Sequence, residues 1–169
     1  MLKRSDANVH IRKARIDDHP AVMDIVKMTN FFYPVEIEVA CEVFDDAVMD
    51  KPGCNYQSYV AEVGGQIAGW ICFGATPCTL GTFDVYWIAV DPALQRNHIG
   101  SRLLHFAEAK ICEQKGRIIV IETSGSERYL PTRRFYERNG YDLAAEVKEF
   151  YAPGDDKWIF LKKLVSQAK

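Results

Sequence analysis

Hydrophobic positions along the chain recur at two spacings, every second residue and every three to four, and the changes between them delimit the elements. Residues 9–14, Val9-His10-Ile11-Arg12-Lys13-Ala14, alternate and predict a first strand. Asp17, Asp18 and Pro20 signal a helix start, after which Val22, Ile25, Val26 and Thr29 line one face of a helix ending near Asn30. A second helix is predicted over 35–48, with Val35, Val39 and Val43 in line and Cys41, Phe44 and Val48 beside them. Lys51-Pro52-Gly53 breaks it. Strands follow at 56–63 and 66–75 around a Gly64-Gly65 hairpin turn. A further strand covers 82–90, and Asp91-Pro92 ends it because proline has no N–H for a sheet ladder. Ile99, Leu103, Ala107 and Ile111, with Leu104 beside them, form one face of a long helix that Gly116 stops. Residues 117–122 are β-branched up to Glu122, the pattern of a strand covered on both faces. A polar loop, a short helix opened by Pro131 and closed by Gly140, and strands over 141–151 and 157–164 complete the chain. The order β-α-α-β-β-β-α-β-α-β-β is an α+β fold with a mixed sheet.

Size and composition narrow the class. At 169 residues, the chain is read as one domain spanning 1–169. A net charge of −2 argues against a polybasic nucleic-acid binder, and no apolar run reaches the ~20 residues of a membrane span. Residues 1–6 carry charge without an apolar stretch behind it, unlike a secretory leader. The five cysteines, Cys41, Cys54, Cys72, Cys78 and Cys112, are scattered and odd in number, so a cytoplasmic protein with reduced thiols is expected. His98 and His105 lack a third partner at metal-ligand spacing, and no metal site is expected. Charge is uneven. Residues 17–50 hold nine acids against Lys27 alone, a local −8, which suits a cation. Residues 95–138 hold nine bases and five acids, a local +4, which suits an anion.

The chemistry starts where the strand at 82–90 meets the helix after it. A helix N-terminus presents unpaired N–H groups and a partial positive charge. Arg96 adds a cation there, and Gly100 lets a ligand approach the backbone. The arrangement reads as a pyrophosphate cradle.

This segment resembles the acetyl-CoA signature of the GNAT N-acetyltransferases, Q/R-x-x-G-x-G/A, here Gln95-Arg96-Asn97-His98-Ile99-Gly100. His98 replaces the first glycine, which an ordinary helical backbone would tolerate. Arg134-Phe135-Tyr136-Glu137-Arg138-Asn139-Gly140-Tyr141 resembles the family's "FYxxxGF" segment. The resemblance covers nearly the whole chain. It implies a mixed, mostly antiparallel seven-stranded sheet splayed between strands 4 and 5, flanked by about four helices, with the pantetheine arm of acetyl-CoA entering the gap. It implies cofactor contacts from Ile88, Ala89, Val90, Gln95, Arg96, Asn97, His98, Ile99, Gly100, Ser101 and Tyr136. A strand bulge near Val90 would supply main-chain donors for the pantetheine amides and the thioester oxygen.

Acetyl transfer to an amine needs a base, an oxyanion donor and an acid. Glu122 is the candidate base, ending an aliphatic strand where many family members place a catalytic glutamate and where partial desolvation would tune it. Asp84 and Tyr86, two residues apart on the preceding strand, are rivals. Tyr136 is the candidate acid, by resemblance to the family tyrosine beside the cofactor sulfur. Ser124 or Ser126 of the loop 123–131, or Thr132 just after it, is expected in place of a family asparagine, while Tyr129 and Arg133 instead reach toward substrate. Acceptor contacts are expected from Phe31, Tyr33, Asp84, Tyr86, Glu122 and Tyr151. The acceptor is expected to be a small amino-acid-like amine or a peptide N-terminus, attacked in a ternary complex. A homodimer stays open. The alternative is a non-catalytic acyl-CoA-binding or regulatory module, which would need neither Glu122 nor Tyr136.

Overall fold

The computed structural model describes residues 8–164, so residues 1–6, read above against a leader, lie outside it. In chain order the elements are β1 (Val9–Lys13), α1 (His19–Met28), α2 (Pro34–Val48), β2 (Tyr56–Val63), β3 (Gln66–Ala75), β4 (Thr82–Val90), α3 (Ile99–Glu113), β5 (Ile118–Ser124), α4 (Leu130–Arg138), β6 (Asp142–Ala152) and β7 (Asp155–Lys163). Short 3-10 turns at Ile16–Asp18, Pro92–Leu94 and Glu127–Tyr129 punctuate the loops. Type and order follow the sequence pattern, with ends moved by a residue or two. The seven strands run in the order β1-β2-β3-β4-β5-β7-β6. β4 and β5 are parallel, while β1–β2, β2–β3, β5–β7 and β6–β7 are antiparallel. The described residues divide into two compact units, 8–74 with 87–107 and 75–86 with 108–164, so β4 and α3 each contribute to both.

In the first unit, alternate strand residues serve opposite faces. Val60, Trp70, Cys72 and Ala89 join Val22, Ile25 and Val26 of α1 and Ala40, Val43 and Phe44 of α2 in one buried cluster. Full burial of a large apolar side chain contributes ~1.5–3 kcal/mol. The indole N–H of Trp70 donates to Ser58 Oγ at 2.7 Å, so its burial leaves no donor unpaired. Tyr59 stacks on Phe73 at 5.8 Å and meets Phe106 of α3 edge-on at 4.9 Å. Gly69 lets β3 approach β4 and α3, since a Cβ there would stand 3.0 Å from both the Ala89 carbonyl oxygen and Leu103 Cδ1. The α2 stripe differs from the expected one. Val35 and Val39 are exposed, and the buried face is Ala40, Val43, Phe44 and Ala47. Alanines weigh little in a hydrophobic pattern, yet their size lets the helix settle on the strands.

In the second unit, β5 pairs with β4 over three residues, Thr82–Ile118 to Asp84–Val120, and with β7 from Ile118–Lys163 to Ser124–Lys157. The expected two-sided burial of β5 is not found. Ile119 and Ile121 are sealed, Ile118 and Val120 half-covered, and Glu122 exposed. Glu108 of α3 accepts from Tyr141 Oη at 3.0 Å and from Lys162 Nζ at 2.9 Å, and Lys162 also donates to the Asn139 carbonyl at 3.0 Å. Those bonds fix the end of α4 and the Gly140-Tyr141 corner, where Gly140 takes φ +81°.

Candidate active site

The cradle belongs to the first unit. Asp91 caps the turn after β4, its carboxylate accepting the Ala93 N–H at 2.8 Å. The chain then passes through two left-handed residues, Arg96 at φ +67° and His98 at φ +58°. The Arg102 N–H donates to the His98 carbonyl at 2.9 Å. The amides of Ile99, Gly100 and Ser101 therefore precede the first intrahelical bond. Left-handed residues followed by a helix N-terminus gather N–H groups into an anion-binding concavity. Ile99 is 2% exposed and anchors the helix start, while Gln95, Arg96, Asn97 and His98 are exposed. Asn97 Nδ2 donates to the Leu94 carbonyl at 3.0 Å, and Gln95 Nε2 to the Val90 carbonyl at 3.5 Å. This corrects the expected backbone at His98. The residue is not helical but occupies the conformation that favours glycine, at a cost of ~1–2 kcal/mol for an L residue. The donor set suits the pyrophosphate of CoA, being amides, a guanidinium and an imidazole with no carboxylate among Gln95 to Ser101.

The second unit carries the candidate acid and bases. Tyr136 is 5% exposed, its ring against Phe160 at 5.8 Å and Tyr141 at 6.2 Å. Burial, with Tyr129 adding to it, pushes its phenol well above the ordinary tyrosine range. It stays protonated at neutral pH, as a proton donor must. Phe160 pairs with Ile121 across β5 and β7, so α4 covers the Ile121 side of that ladder. Glu122 is the next residue and projects from the opposite side. Asp84 pairs in register with Val120, which shares its face with Glu122. Both candidate bases thus stand on one face of the strands and Tyr136 on the other.

Glu122 is not desolvated as expected. Its side chain is 46% exposed, and Oε2 lies 2.6 Å from Lys157 Nζ. Nothing local in the sequence links Lys157 on the last strand to Glu122. The Lys157 ammonium also sits 3.9 Å from the centre of the Phe150 ring. Asp84 accepts from Thr76 Oγ1 at 2.6 Å and is partly buried. Tyr86 and Tyr151 are 38% and 47% exposed, and Tyr151 packs edge-on to Phe150 at 5.0 Å. In the first unit, Phe31 is half-buried and Tyr33 is 60% exposed, its N–H capped by Glu36 at 2.7 Å.

Three of the residues offered as ligand contacts, Ser124, Ser126 and Arg133, are engaged within the protein. Arg133 is 5% exposed and donates to the carbonyls of Ser124 at 3.0 Å and Ser126 at 2.6 Å, with its guanidinium 4.7 Å from the Trp158 ring centre. Ser124 Oγ donates to Asp155 at 2.5 Å and meets Ser126 Oγ at 2.7 Å. These groups satisfy one another and hold the strand end against β7.

A family model described as "Acetyltransferase (GNAT) domain" matches residues 54–143. A curated S-(2-succino)cysteine N-acetyltransferase of Bacillus subtilis (strain 168) is 28% identical over 92 residues, which are 52% of this chain and 56% of that protein. The chain thus spans little more than half the length of that relative. Among solved structures, an acetyltransferase described as of the GNAT family from Desulfovibrio desulfuricans superposes with a TM-score of 0.89 at 40% identity, covering 93% of this chain and 99% of that one. The ribosomal-protein-S18-alanine N-acetyltransferase of Escherichia coli shares the fold at TM-score 0.75 and 19% identity, over 95% and 96% of the two chains. An aminoglycoside 6'-N-acetyltransferase complexed with coenzyme A does so at 0.75 and 15%, over 95% and 99%.

Proposed function

The chain belongs to the GNAT acetyltransferase family, and from that premise we propose that it acts as one acetyltransferase domain moving the acetyl group of acetyl-CoA to a primary amine. The observation that carries this reading is the left-handed pair Arg96 and His98 leading into the α3 N-terminus, a receptor for a pyrophosphate. The amides of residues 95–101 hold that group, with Arg96 and His98 beside them. The main chain of Ile88, Ala89 and Val90 takes the pantetheine amides and, near Val90, the thioester oxygen as it gains charge.

Glu122 takes a proton from the acceptor ammonium, directly or through a water, with Asp84 its rival for that step. The freed lone pair forms the N–C bond at the thioester carbonyl, and as the C–S bond breaks the nitrogen loses its second proton to solvent, leaving the neutral amide. Tyr136 gives its phenolic proton to the departing thiolate and regains one from solvent. Acid and base act from opposite sides of β5 without competing for one proton. Acceptor contacts within the second unit fall to Asp84, Tyr86, Glu122 and Tyr151. The acceptor is a small amino-acid-like amine or a peptide N-terminus. The Bacillus subtilis relative, named for acetylating a substituted cysteine, supports the former.

The second reading, a CoA binder without turnover, draws on the ion pair that occupies Glu122. An amine panel with acetyl-CoA, scored for free CoA thiol, separates the two. Thiol release dependent on a particular amine is the expected result. Calorimetric CoA binding with no release from any amine would leave the binder.

A further inference from the structure

We propose that the acceptor carries a carboxylate next to its amine, and that Lys157 is the residue that reads it. This rests on the acetyl-transfer reading above and narrows it to free α-amino acids rather than peptide N-termini. The carrying observation is the Glu122–Lys157 pair, with 2.6 Å between Oε2 and Nζ. The Lys157 side chain is only 14% exposed, and its ammonium is held over Phe150 at 3.9 Å. Register fixes the arrangement. Ser124 pairs with Lys157 and Glu122 with Ile159, so Glu122 and Lys157 rise from the same face, which is also Asp84's.

Two other lysines, Lys148 of β6 and Lys162 of β7, have partners away from the candidate base. Lys148 holds Asp156 at 2.7 Å and Glu146 at 2.8 Å, and Lys162 holds Glu108 at 2.9 Å. Lys157 instead holds the group proposed to take the acceptor's proton. When an ammonium replaces Lys157 at Glu122, the lysine loses its counter-charge while its stem remains packed. An α-amino acid replaces both halves of the pair at once, its ammonium on Glu122 and its carboxylate on Lys157, with the two charges joined through one carbon. A simple amine supplies only the first contact. A peptide N-terminus offers a neutral carbonyl where the carboxylate would be. A hydrogen bond to a charged group is stronger than a neutral one, by enough to favour the free acid about 10- to 100-fold.

The test compares kcat/KM for L-alanine, L-methionine and L-serine with the corresponding amides and N-terminal dipeptides, by CoA thiol release, in the wild type, Lys157→Met and Lys157→Arg. The ratio of acid to amide within each variant is read, so general damage to the enzyme cancels. The expected wild-type ratio is about 10 to 100, carried mainly by KM, falling to within about threefold of unity in Lys157→Met and largely kept in Lys157→Arg. If Lys157→Met does not fold, the wild-type ratio and its retention in Lys157→Arg still decide. Amides or dipeptides accepted as well as free acids by the wild type, or an unchanged ratio in Lys157→Met, would overturn the role of Lys157 and leave acetyl transfer standing. No CoA release from any amine would instead overturn the acetyl-transfer reading, and this inference with it.

Discussion

Tyr136→Phe isolates the proposed acid step. The substitution removes one oxygen from a ring that is 5% exposed and packed between Tyr141 and Phe160. The apolar ring and its neighbours stay, so stability should change by no more than ~1 kcal/mol. The phenol is proposed to meet the sulfur and not the pyrophosphate, so the Kd for CoA should move less than threefold, an order-of-magnitude bound. Loss of a positioned general acid typically costs ~10²–10⁴ in rate, which is about 2.7–5.4 kcal/mol at 1.36 kcal/mol per decade. The buried phenol sits well above the ordinary tyrosine range, so the acid form persists through the whole working pH range. The wild-type kcat should therefore show no alkaline fall from this group up to about pH 10. Steady-state thiol release against pH measures the rate and its alkaline limb, calorimetric CoA binding the Kd, and urea unfolding the stability. An acetyl donor with a more acidic thiol should recover much of the lost rate, because that thiolate departs without a proton. A kcat within twofold of wild type, or a loss equal for both donors, would refute the role of Tyr136.

Glu122→Gln and Asp84→Asn separate the rival bases. The true base should lose about 10²–10⁴ in kcat/KM and the other less than about tenfold, and equal losses would contradict a single base. Asp18 accepts from both terminal nitrogens of Arg12 at 2.7 and 2.8 Å and from the Arg15 N–H at 2.8 Å. Arg12, foremost, holds its carboxyl below the usual range. Its stabilising contribution is complete above about pH 4 and lost as pH falls through the depressed folded value. Asp18→Asn should cost about 3 kcal/mol and about 6–12 °C in Tm, since Arg12 keeps Glu62, and should flatten the acid limb of urea stability curves. Gly116→Ala places a Cβ against Ile111 Cγ2 and 2.9 Å from the Ile111 carbonyl oxygen, at the C-terminus of α3. Overpacking there should cost about 1–3 kcal/mol in urea unfolding, and an unchanged midpoint would contradict the contact.

The element order and the two motifs were legible because each is written in neighbouring residues. Period two and the helical period record which side of an element is apolar. Proline and glycine record where it stops, and Gln95 to Gly100 records a loop that must meet a phosphate. The misreadings share a cause. Val35 and Val39 were apolar at the right spacing, but the sheet accepted the face with Ala40 and Ala47, and only the packed partner reveals that choice. A helical backbone at His98 would tolerate its side chain, yet the residue takes φ +58°, which no local signal in the sequence announces.

The chain by itself determined that a strand leads through a short basic loop into an amphipathic helix, and that a tyrosine follows on a later one. Periodicity and local turn chemistry suffice for that much. Only the tertiary structure decided that Lys157 reaches Glu122, that Arg133 turns inward to main-chain carbonyls, and that β7 lies between β5 and β6. Register between strands distant in sequence is set by the sum of many weak contacts across both faces. No single stretch of residues contains it.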